Sequence, residues 1–247
     1  ATPGQDLTAF TAHLRQLDEK GHLLAPLDTQ RFRQEVKAGL YFSSSIPVGY
    51  GAGSSGALCA AVYERYANPA IEKENTAALH ILQQQLAQLE SYFHGESSGA
   101  DPLICYLQRP LLLEQKTVKP ATVATKSETR GLFFLVDTGI SRRTAPLVQH
   151  FKAKCKDEHF RELALRQLAT PTTTATYAYL EQNTTQLQQA LLQISTAQID
   201  LLSDFIPAAF RPAWAEGLKT HQFYLKLCGA GGGGFLIGYS PNRQLPT

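Results

Sequence analysis

Residues 46–56 read IPVGYGAGSSG, a glycine-rich stretch that runs into the helix-like sequence ALCAAVYERYA. From Gly51 to Gly56 the letters satisfy the G-x-G-x-x-G pattern of a dinucleotide-binding turn. The stretch also places two hydroxyl side chains, Ser54 and Ser55, at the start of the expected helix. These features point to different ligands, and the choice among them decides the fold class.

A dinucleotide turn follows a buried strand and needs an acidic residue about 20 residues further on to bind the ribose. Glu72 and Glu74 lie near that distance. The preceding residues SSSIP, however, are polar and end in proline, unlike a buried parallel strand. A Walker A loop is excluded because the stretch contains no lysine.

Two other interpretations of the loop stay open. The first is a structural glycine turn whose following helix is capped by Ser54 or Ser55. The second is a phosphate cradle, in which backbone N–H groups and the positive end of the helix bind an anion. In such a cradle a serine hydroxyl at the helix start can also bind a Mg²⁺ ion that bridges phosphates.

The composition is that of an ordinary soluble globular protein, with 43% hydrophobic and 18% charged residues in a chain of 247. The net charge is +2 and the basic residues are scattered, so we expect no nucleic-acid partner. No apolar run reaches the roughly 20 residues of a membrane span, so we expect no membrane insertion. Four widely spaced cysteines without a C-x-x-C pair predict free thiols in a reducing cytoplasm.

The first half of the chain is predicted to be mainly helical. Apolar residues at helical spacing predict helices over residues 6–24, 29–38, 55–67 and 71–93. The residues GLYFSSSIPV, 39–48, predict a strand that enters the glycine loop. A polar, proline-containing stretch at 116–130 is a candidate domain boundary.

The second half combines short apolar runs with long helical stretches. The sequence GLFFLVDTG, 131–139, predicts a buried strand because it is apolar with glycine at each end. Leu- and Gln-rich segments predict helices over 144–168 and 174–205. The stretch FYLKLCGAGGGGFLIGYS, 223–240, consists of two short apolar runs separated by glycines.

Glu90 and Asp101, two of the three acidic residues in the segment ESYFHGESSGADP (90–102), are separated by a Ser-Ser-Gly-Ala turn. One could bind Mg²⁺ through oxygen and the other could stand beside a hydroxyl nucleophile. The structural alternative is that Glu90 is a solvated residue at a helix end and Asp101 a turn or N-cap residue. His94, without a His or Cys partner at metal spacing, is interpreted as a local hydrogen-bonding residue.

Five of the six residues from Gly229 to Gly234 are glycine. Glycine inside a helix or strand costs about 0.5–1 kcal/mol relative to alanine, so such a cluster is unfavourable in an ordinary turn. It is easier to explain where the backbone closely approaches another backbone or an anion. Cys228, which has no evident base, is interpreted as a buried residue.

Three stretches, in this order, resemble motifs of the GHMP kinases. IPVGYGAGSSG resembles the second motif, HGESSGADP the segment with the catalytic aspartate, and KLCGAGGGGF the third motif. Within the family the mevalonate kinases are the most similar, and VDTGISRRT, 136–144, resembles the start of their second half. The resemblance covers the chain from about residue 38 to its end.

The resemblance implies a role for each matching residue. Asp101 would be catalytic, and Ser55 and Glu90 would bind Mg²⁺. Thr144 is implied more weakly, as support for the aspartate. ATP would contact the residues of the second and third motifs, which are Gly49, Gly51, Ala52, Gly53, Ser54, Ser55, Gly229, Ala230, Gly231 and Gly232.

The resemblance also implies a mixed α/β (α+β) fold of two domains. Residues 1–128 would form a ribosomal-S5-like amino-terminal domain that lacks its first strands, and 129–247 a ferredoxin-like carboxy-terminal domain. The implied activity is ATP- and Mg²⁺-dependent transfer of phosphate to an alcohol, with mevalonate or a similar small molecule as substrate. We expect a cytoplasmic enzyme and leave open a homodimer.

Alternatives within the family are a phosphomevalonate or sugar kinase and a non-catalytic homologue. A phosphorylated substrate would need an additional basic cluster, for which Arg142 and Arg143 are the candidates. The family's first motif, with a lysine that pairs with the catalytic aspartate, has no match before residue 38. Because the chain contains no Met and opens within a helix-like pattern, we expect a native segment to precede it.

Overall fold

The computed structural model describes residues 7–114, 117–123 and 131–242. Helices and antiparallel strands are combined in two compact units. The first unit holds the described residues up to Val48 and from Gly53 to Ala121. The second holds Gly49–Ala52 and the described residues from Thr122 onward, so the glycine loop is divided between the units.

In its described residues the first unit is built from five α-helices and one β-hairpin. The helices are α1 (Thr8–Glu19), α2 (Thr29–Lys37), α3 (Ser54–Tyr66), α4 (Leu79–His94) and α5 (Ala100–Leu107). The hairpin pairs β1 (Leu111–Glu114) with β2 (Thr117–Pro120), in antiparallel register. α3 packs against α4 and α5. Their buried apolar side chains include Leu58, Tyr63, Leu82, Leu86, Leu89 and Leu103.

The helices predicted over 6–24, 29–38 and 55–67 are confirmed with shorter ends. The helix predicted over 71–93 begins later, because the Asn75 side chain accepts the Ala78 N–H at 3.2 Å and caps a 3₁₀ turn, Thr76–Ala78, that leads into α4. The strand predicted over 39–48 is wrong. There Phe42 forms a single β-bridge and no strand continues from it. Ser44 Oγ accepts the Ile46 N–H at 3.0 Å and Pro47 has no N–H, so neither Ile46 nor Pro47 can donate to a sheet ladder.

The described part of the second unit consists of a three-stranded sheet and five α-helices. The strands are β3 (Leu132–Asp137), β4 (Tyr224–Leu227) and β5 (Phe235–Ser240), in the antiparallel order β3-β5-β4. The helices are α6 (Thr144–Lys154), α7 (Glu158–Ala164), α8 (Thr170–Leu180), α9 (Thr184–Leu201) and α10 (Arg211–Thr220). Leu227 pairs with Leu236, so the glycine-rich residues 228–234 form the β4–β5 connection.

Two predictions for the second unit need correction. The run at 131–139 is a strand, but it lies at an edge of the sheet and its residues alternate between half-buried and exposed. Phe133 and Leu135 are on the exposed side. Because these exposed residues are apolar as well, the alternation of burial along the strand is not visible in the sequence. The long helices predicted over 144–168 and 174–205 are interrupted where Asp157 and Asn183 cap α7 and α9 with their side chains.

The chain was expected to divide at a boundary near 116–130. The compact units divide at 121/122, with Gly49–Ala52 grouped in the second. The assignment of 1–128 and 129–247 to a ribosomal-S5-like and a ferredoxin-like domain stays a prediction.

A cluster of charged and aromatic side chains joins α2 to α3 in the first unit. Glu35 accepts hydrogen bonds from Tyr66 Oη at 2.6 Å and from Arg65 Nε at 2.9 Å, and Arg31 Nε bonds its other oxygen at 2.9 Å. The Tyr66 and Arg65 bonds, opposed by partial burial, lower the pKa of Glu35 to about 2. Burial, followed by the neighbouring Glu35 carboxylate, raises the pKa of the Tyr66 hydroxyl to about 12.

Replacing Glu35 with Gln should make the free energy of unfolding less dependent on pH. The folded-state pKa of Glu35 lies below its ordinary value of 4.5, so its stabilisation is present above that pH and is lost as the pH falls toward about 2. Denaturant unfolding should show E35Q less stable than wild type at pH 7, with the difference fading between pH 4.5 and 2. E19Q, which removes an exposed carboxylate paired with Arg15, is the control. If the difference in the free energy of unfolding between wild type and E35Q did not change with pH, the role of the Glu35 network would be contradicted.

Candidate functional site

In the first unit the start of α3 requires glycine. Gly53, the N-cap residue, has a φ of 77°, a left-handed conformation that side-chain-bearing residues rarely adopt. Ser54 and Ser55 form the first two residues of α3 and are half-buried. Neither serine is the N-cap residue, and Gly53 contributes no side-chain cap, so the structural-cap interpretation of Ser54 or Ser55 does not hold.

Glu90, near the end of α4, is a buried carboxylate that faces this helix start. It is 5% exposed. Ser55 Oγ donates to its Oε1 at 3.0 Å, and Ser97 Oγ donates to its Oε2 at 2.5 Å. Within the described residues no lysine, arginine or histidine forms an ion pair with Glu90. The interpretation of Glu90 as a solvated helix-end residue is therefore wrong.

His94 also contacts Ser55, with 2.9 Å between its Nε2 and Ser55 Oγ. The Ser55 hydroxyl has a single proton to donate, and the Glu90 carboxylate acts only as a hydrogen-bond acceptor. If Ser55 donates to Glu90, His94 must donate its Nε2–H to Ser55. The interpretation of His94 as a local hydrogen-bonding residue agrees with this contact.

Asp101 lies on the first turn of α5 and is exposed. A Cβ placed on Gly56 would come within 2.8 Å of the Asp101 backbone, and one on Gly53 within 3.9 Å of its Oδ2. The close approach at Gly56 therefore brings the aspartate against the first turn of α3. Ser55, Glu90 and Asp101 are thus brought to one end of α3, which the sequence spacing of 35 and 46 residues alone does not fix.

In the second unit Gly49–Ala52 contacts the β4–β5 connection. Gly51 O accepts the Cys228 thiol at 3.4 Å, and Tyr50 O accepts the Phe235 N–H at 3.2 Å. A Cβ on Gly51 would lie 2.9 Å from the Cys228 carbonyl oxygen. The glycines here serve close backbone approach, as their clustering indicates. Cys228, which the sequence led us to interpret as buried, is half-buried.

The other predicted nucleotide contacts in this connection are Gly229, Ala230, Gly231 and Gly232. Gly229 is exposed and Ala230 half-buried. Gly231 and Gly232 have φ values of 73° and 76° and pack on Phe205 and Leu147 respectively.

Arg142 is the functional candidate that the motif comparison left without a role in nucleotide binding. Its Nη2 donates to Cys228 O at 3.3 Å and would clash with a Cβ on Gly51 or Gly229, and its backbone N–H bonds Gly49 O. Burial lowers the pKa of its guanidinium. Among the described residues no carboxylate pairs with it, and its buried Nε has no partner. In the sequence Arg142 is 91 residues from Gly51 and 87 from Gly229, so no local signal predicts that it lies against these glycines.

Thr144, the first residue of α6, accepts a hydrogen bond from Arg142 Nη1. Its implied support of the catalytic aspartate stays a prediction.

Ser55 and Glu90 are oxygen donors that fit Mg²⁺, which takes one or two protein ligands and completes its shell with phosphates and water. The buried Glu90 carboxylate, which has no basic partner in the part of the chain that the structure describes, carries the negative charge that such an ion would neutralise. The described part of the chain contains no group of three or more His, Cys, Asp or Glu side chains able to hold a metal by themselves. A metal held with the help of phosphate is therefore the kind of site these residues can form.

Replacing Ser97 with Ala should lower the free energy of unfolding by about 1–3 kcal/mol, because a buried carboxylate oxygen loses its hydrogen-bond donor. Urea denaturation measures the change. S98A is the matched control, since Ser98 is exposed and its side chain bonds only the Ala100 N–H, at 3.3 Å. Equal losses in S97A and S98A would contradict the importance of the bond to Glu90.

Comparison with protein families finds a match that lies mostly within the first unit. Residues 20–109 match the family model described as the GHMP kinases N terminal domain. The match supports membership of the GHMP kinase superfamily, whose members are ATP-dependent small-molecule kinases. The comparison with curated proteins finds no match to the chain. In the part of the chain that the structure describes, no helix is both long and apolar enough to span a bilayer.

Proposed function

We propose that this protein is an ATP- and Mg²⁺-dependent kinase that phosphorylates the primary hydroxyl of mevalonate. The observation that carries the proposal is the cluster at the start of α3, where Ser55 bonds the buried Glu90 and Gly56 packs on Asp101. The family match over 20–109 includes all four residues and supports the kinase class. The choice of mevalonate rests on the motif resemblance.

The triphosphate is assigned to the residues from Gly49 to Ser55 and to Gly229–Gly232. Backbone N–H groups of the first turn of α3 have no intrahelical acceptor, and the helix dipole adds positive potential there. Successive glycines with positive φ can turn further N–H groups toward an anion. Phosphoryl transfer demands mainly such positioning and charge neutralisation.

Ser55 and Glu90 would hold Mg²⁺, which neutralises charge on the phosphates when it is bound. Ser97 and His94 hold these two side chains in place through the hydrogen bonds described above. Without those partners the buried carboxylate would lose its orientation.

Asp101 is assigned as the catalytic residue because it is exposed and stands beside the start of α3. Its carboxylate would orient the substrate hydroxyl and accept its proton while the oxygen bonds the γ-phosphorus and the bond to ADP breaks.

A phosphorylated substrate, as in a phosphomevalonate kinase, is the second candidate. Arg142 favours it, because a guanidinium without a carboxylate among the described residues can bind a second phosphate. A non-catalytic homologue is the third, although Ser55, Glu90 and Asp101 all retain the side chains that catalysis needs. Cytoplasmic location and a homodimer stay predictions.

The deciding experiment is a coupled ADP-release assay of full-length protein with mevalonate, phosphomevalonate, homoserine and galactose. Turnover with mevalonate supports the substrate assignment, whereas turnover with another alcohol replaces it. Absence of turnover with all four, together with retained ATP binding, would favour the non-catalytic homologue.

Replacing Asp101 with Asn should lower kcat by about 10²–10⁴-fold, because the proton acceptor is lost. The Kd for ATP, measured by calorimetry, should change little, since no phosphate contact is assigned to Asp101. E72Q, at an exposed acid outside the cluster, is the control. Full activity in D101N would remove its assigned role.

Replacing Ser55 with Ala should raise the Mg²⁺ concentration needed for half-maximal turnover, because one metal ligand is lost. The assay is a Mg²⁺ titration at fixed ATP, with S98A as the control. An unchanged Mg²⁺ requirement in S55A would argue against this metal site.

A further inference from the structure

A three-residue clasp in the second unit joins α6 to a 3₁₀ turn, Ser203–Phe205. We call it the Asp204 clasp. Asp204 bonds His150 Nε2 and pairs with Lys154 Nζ at 3.2 Å. Burial raises the pKa of Asp204, but the bonds from His150 and Lys154 outweigh it, so the pKa lies below its ordinary value. The carboxylate is therefore held in its charged form by α6.

The ring of the neighbouring residue, Phe205, is contacted by two side chains of α6. The His150 ring stacks on the Phe205 ring with centroids 5.1 Å apart and an interplanar angle of 28°. The Lys154 ammonium lies 5.9 Å from the Phe205 centroid, within cation–π distance. The same two residues of α6 that hold Asp204 thus also fix the phenyl group.

Phe205 in turn holds the glycines of the β4–β5 connection. Its carbonyl oxygen accepts the Gly232 N–H at 2.6 Å, and a Cβ on Gly231 would lie 2.8 Å from that oxygen. The contact fills the space over these glycines, so a shift of Phe205 would move the backbone that follows Gly229.

We propose that Asp204 is a positioning residue that sets the conformation of the glycine connection by fixing the Phe205 carbonyl against Gly231 and Gly232. The connection carries four residues assigned to the nucleotide, so the consequence for ATP rests on the proposed function. The clasp itself does not, because the contacts that define it lie within one unit.

The alternative is that the clasp is an exposed ion pair that adds only stability. Exposed ion pairs contribute about 0.2–1 kcal/mol. For either role, the loss of the pair therefore changes amide protection by at most about fivefold, and the two roles differ in whether the change is specific to the connection. A merely stabilising pair would change the melting temperature without a specific effect on the connection. Local amide exchange separates the two roles.

The test is amide hydrogen exchange of full-length D204A at residues 229–234. We expect exchange at the Gly232 amide to rise by about two- to fivefold. In the same variant the Kd for MgATP should weaken by a similar factor. E158A is the matched control because it removes an exposed carboxylate that pairs with Arg161 at 3.0 Å on α7. An unchanged Gly232 exchange rate, or an equal rise in E158A, would overturn the proposal.

Two substitutions of His150 decide the question if D204A does not fold. H150Q retains an N–H donor for Asp204 and should keep the slow exchange at Gly232. H150F keeps an aromatic ring for Phe205 but loses the donor, so it should behave as D204A is expected to behave. Equal exchange in H150Q and H150F would overturn the role of the carboxylate.

The two proposals fail separately. If the wild type binds no MgATP, the proposed function is wrong, and the exchange rates still decide whether Asp204 positions the connection. If Gly232 exchange rises in D204A while MgATP affinity is unchanged, the connection does not contact the nucleotide and the functional consequence is overturned.

Discussion

The first unit depends on how one buried carboxylate is satisfied. Glu90 has no basic partner among the described residues, so its oxygens must be hydrogen-bonded or the group would be costly to bury. Ser55 supplies one donor from the start of α3 and Ser97 the other from the segment before α5. The same bonds that satisfy the charge therefore join the three segments that carry the candidate site.

In the second unit, glycine allows two backbone segments to approach each other closely. Tyr50, Gly51, Cys228 and Phe235 come close enough for backbone contacts because the intervening residues lack side chains. Arg142 fills the remaining space with a charge that no described carboxylate neutralises. Each unit thus presents its own polar arrangement, one with acidic groups at a helix start and one with a guanidinium among glycines.

Several features followed from local sequence rules. The helix at 55–67 and the strand within 131–139 were predictable because their signals are hydrophobic periodicity and apolar runs bounded by glycine. The roles of Ser55, Glu90 and Asp101 stay predictions. The strand predicted over 39–48 failed because a local Ser44 bond competes with sheet pairing. The burial of Glu90 was not predictable, since a glutamate at a helix end is usually solvated.

The sequence by itself determined a mixed helix and sheet chain, a region at 20–109 that matches the GHMP kinases N terminal domain model, and three ordered glycine- or acid-rich motifs. Only the tertiary structure decided that Ser55 bonds Glu90, that Arg142 lies against Gly51 and Gly229, and that Phe205 fixes Gly232. The reason is physical. Periodicity and motif order act through neighbouring residues, whereas these contacts join residues 27 to 91 positions apart, which only packing and the need to satisfy buried polar groups bring together.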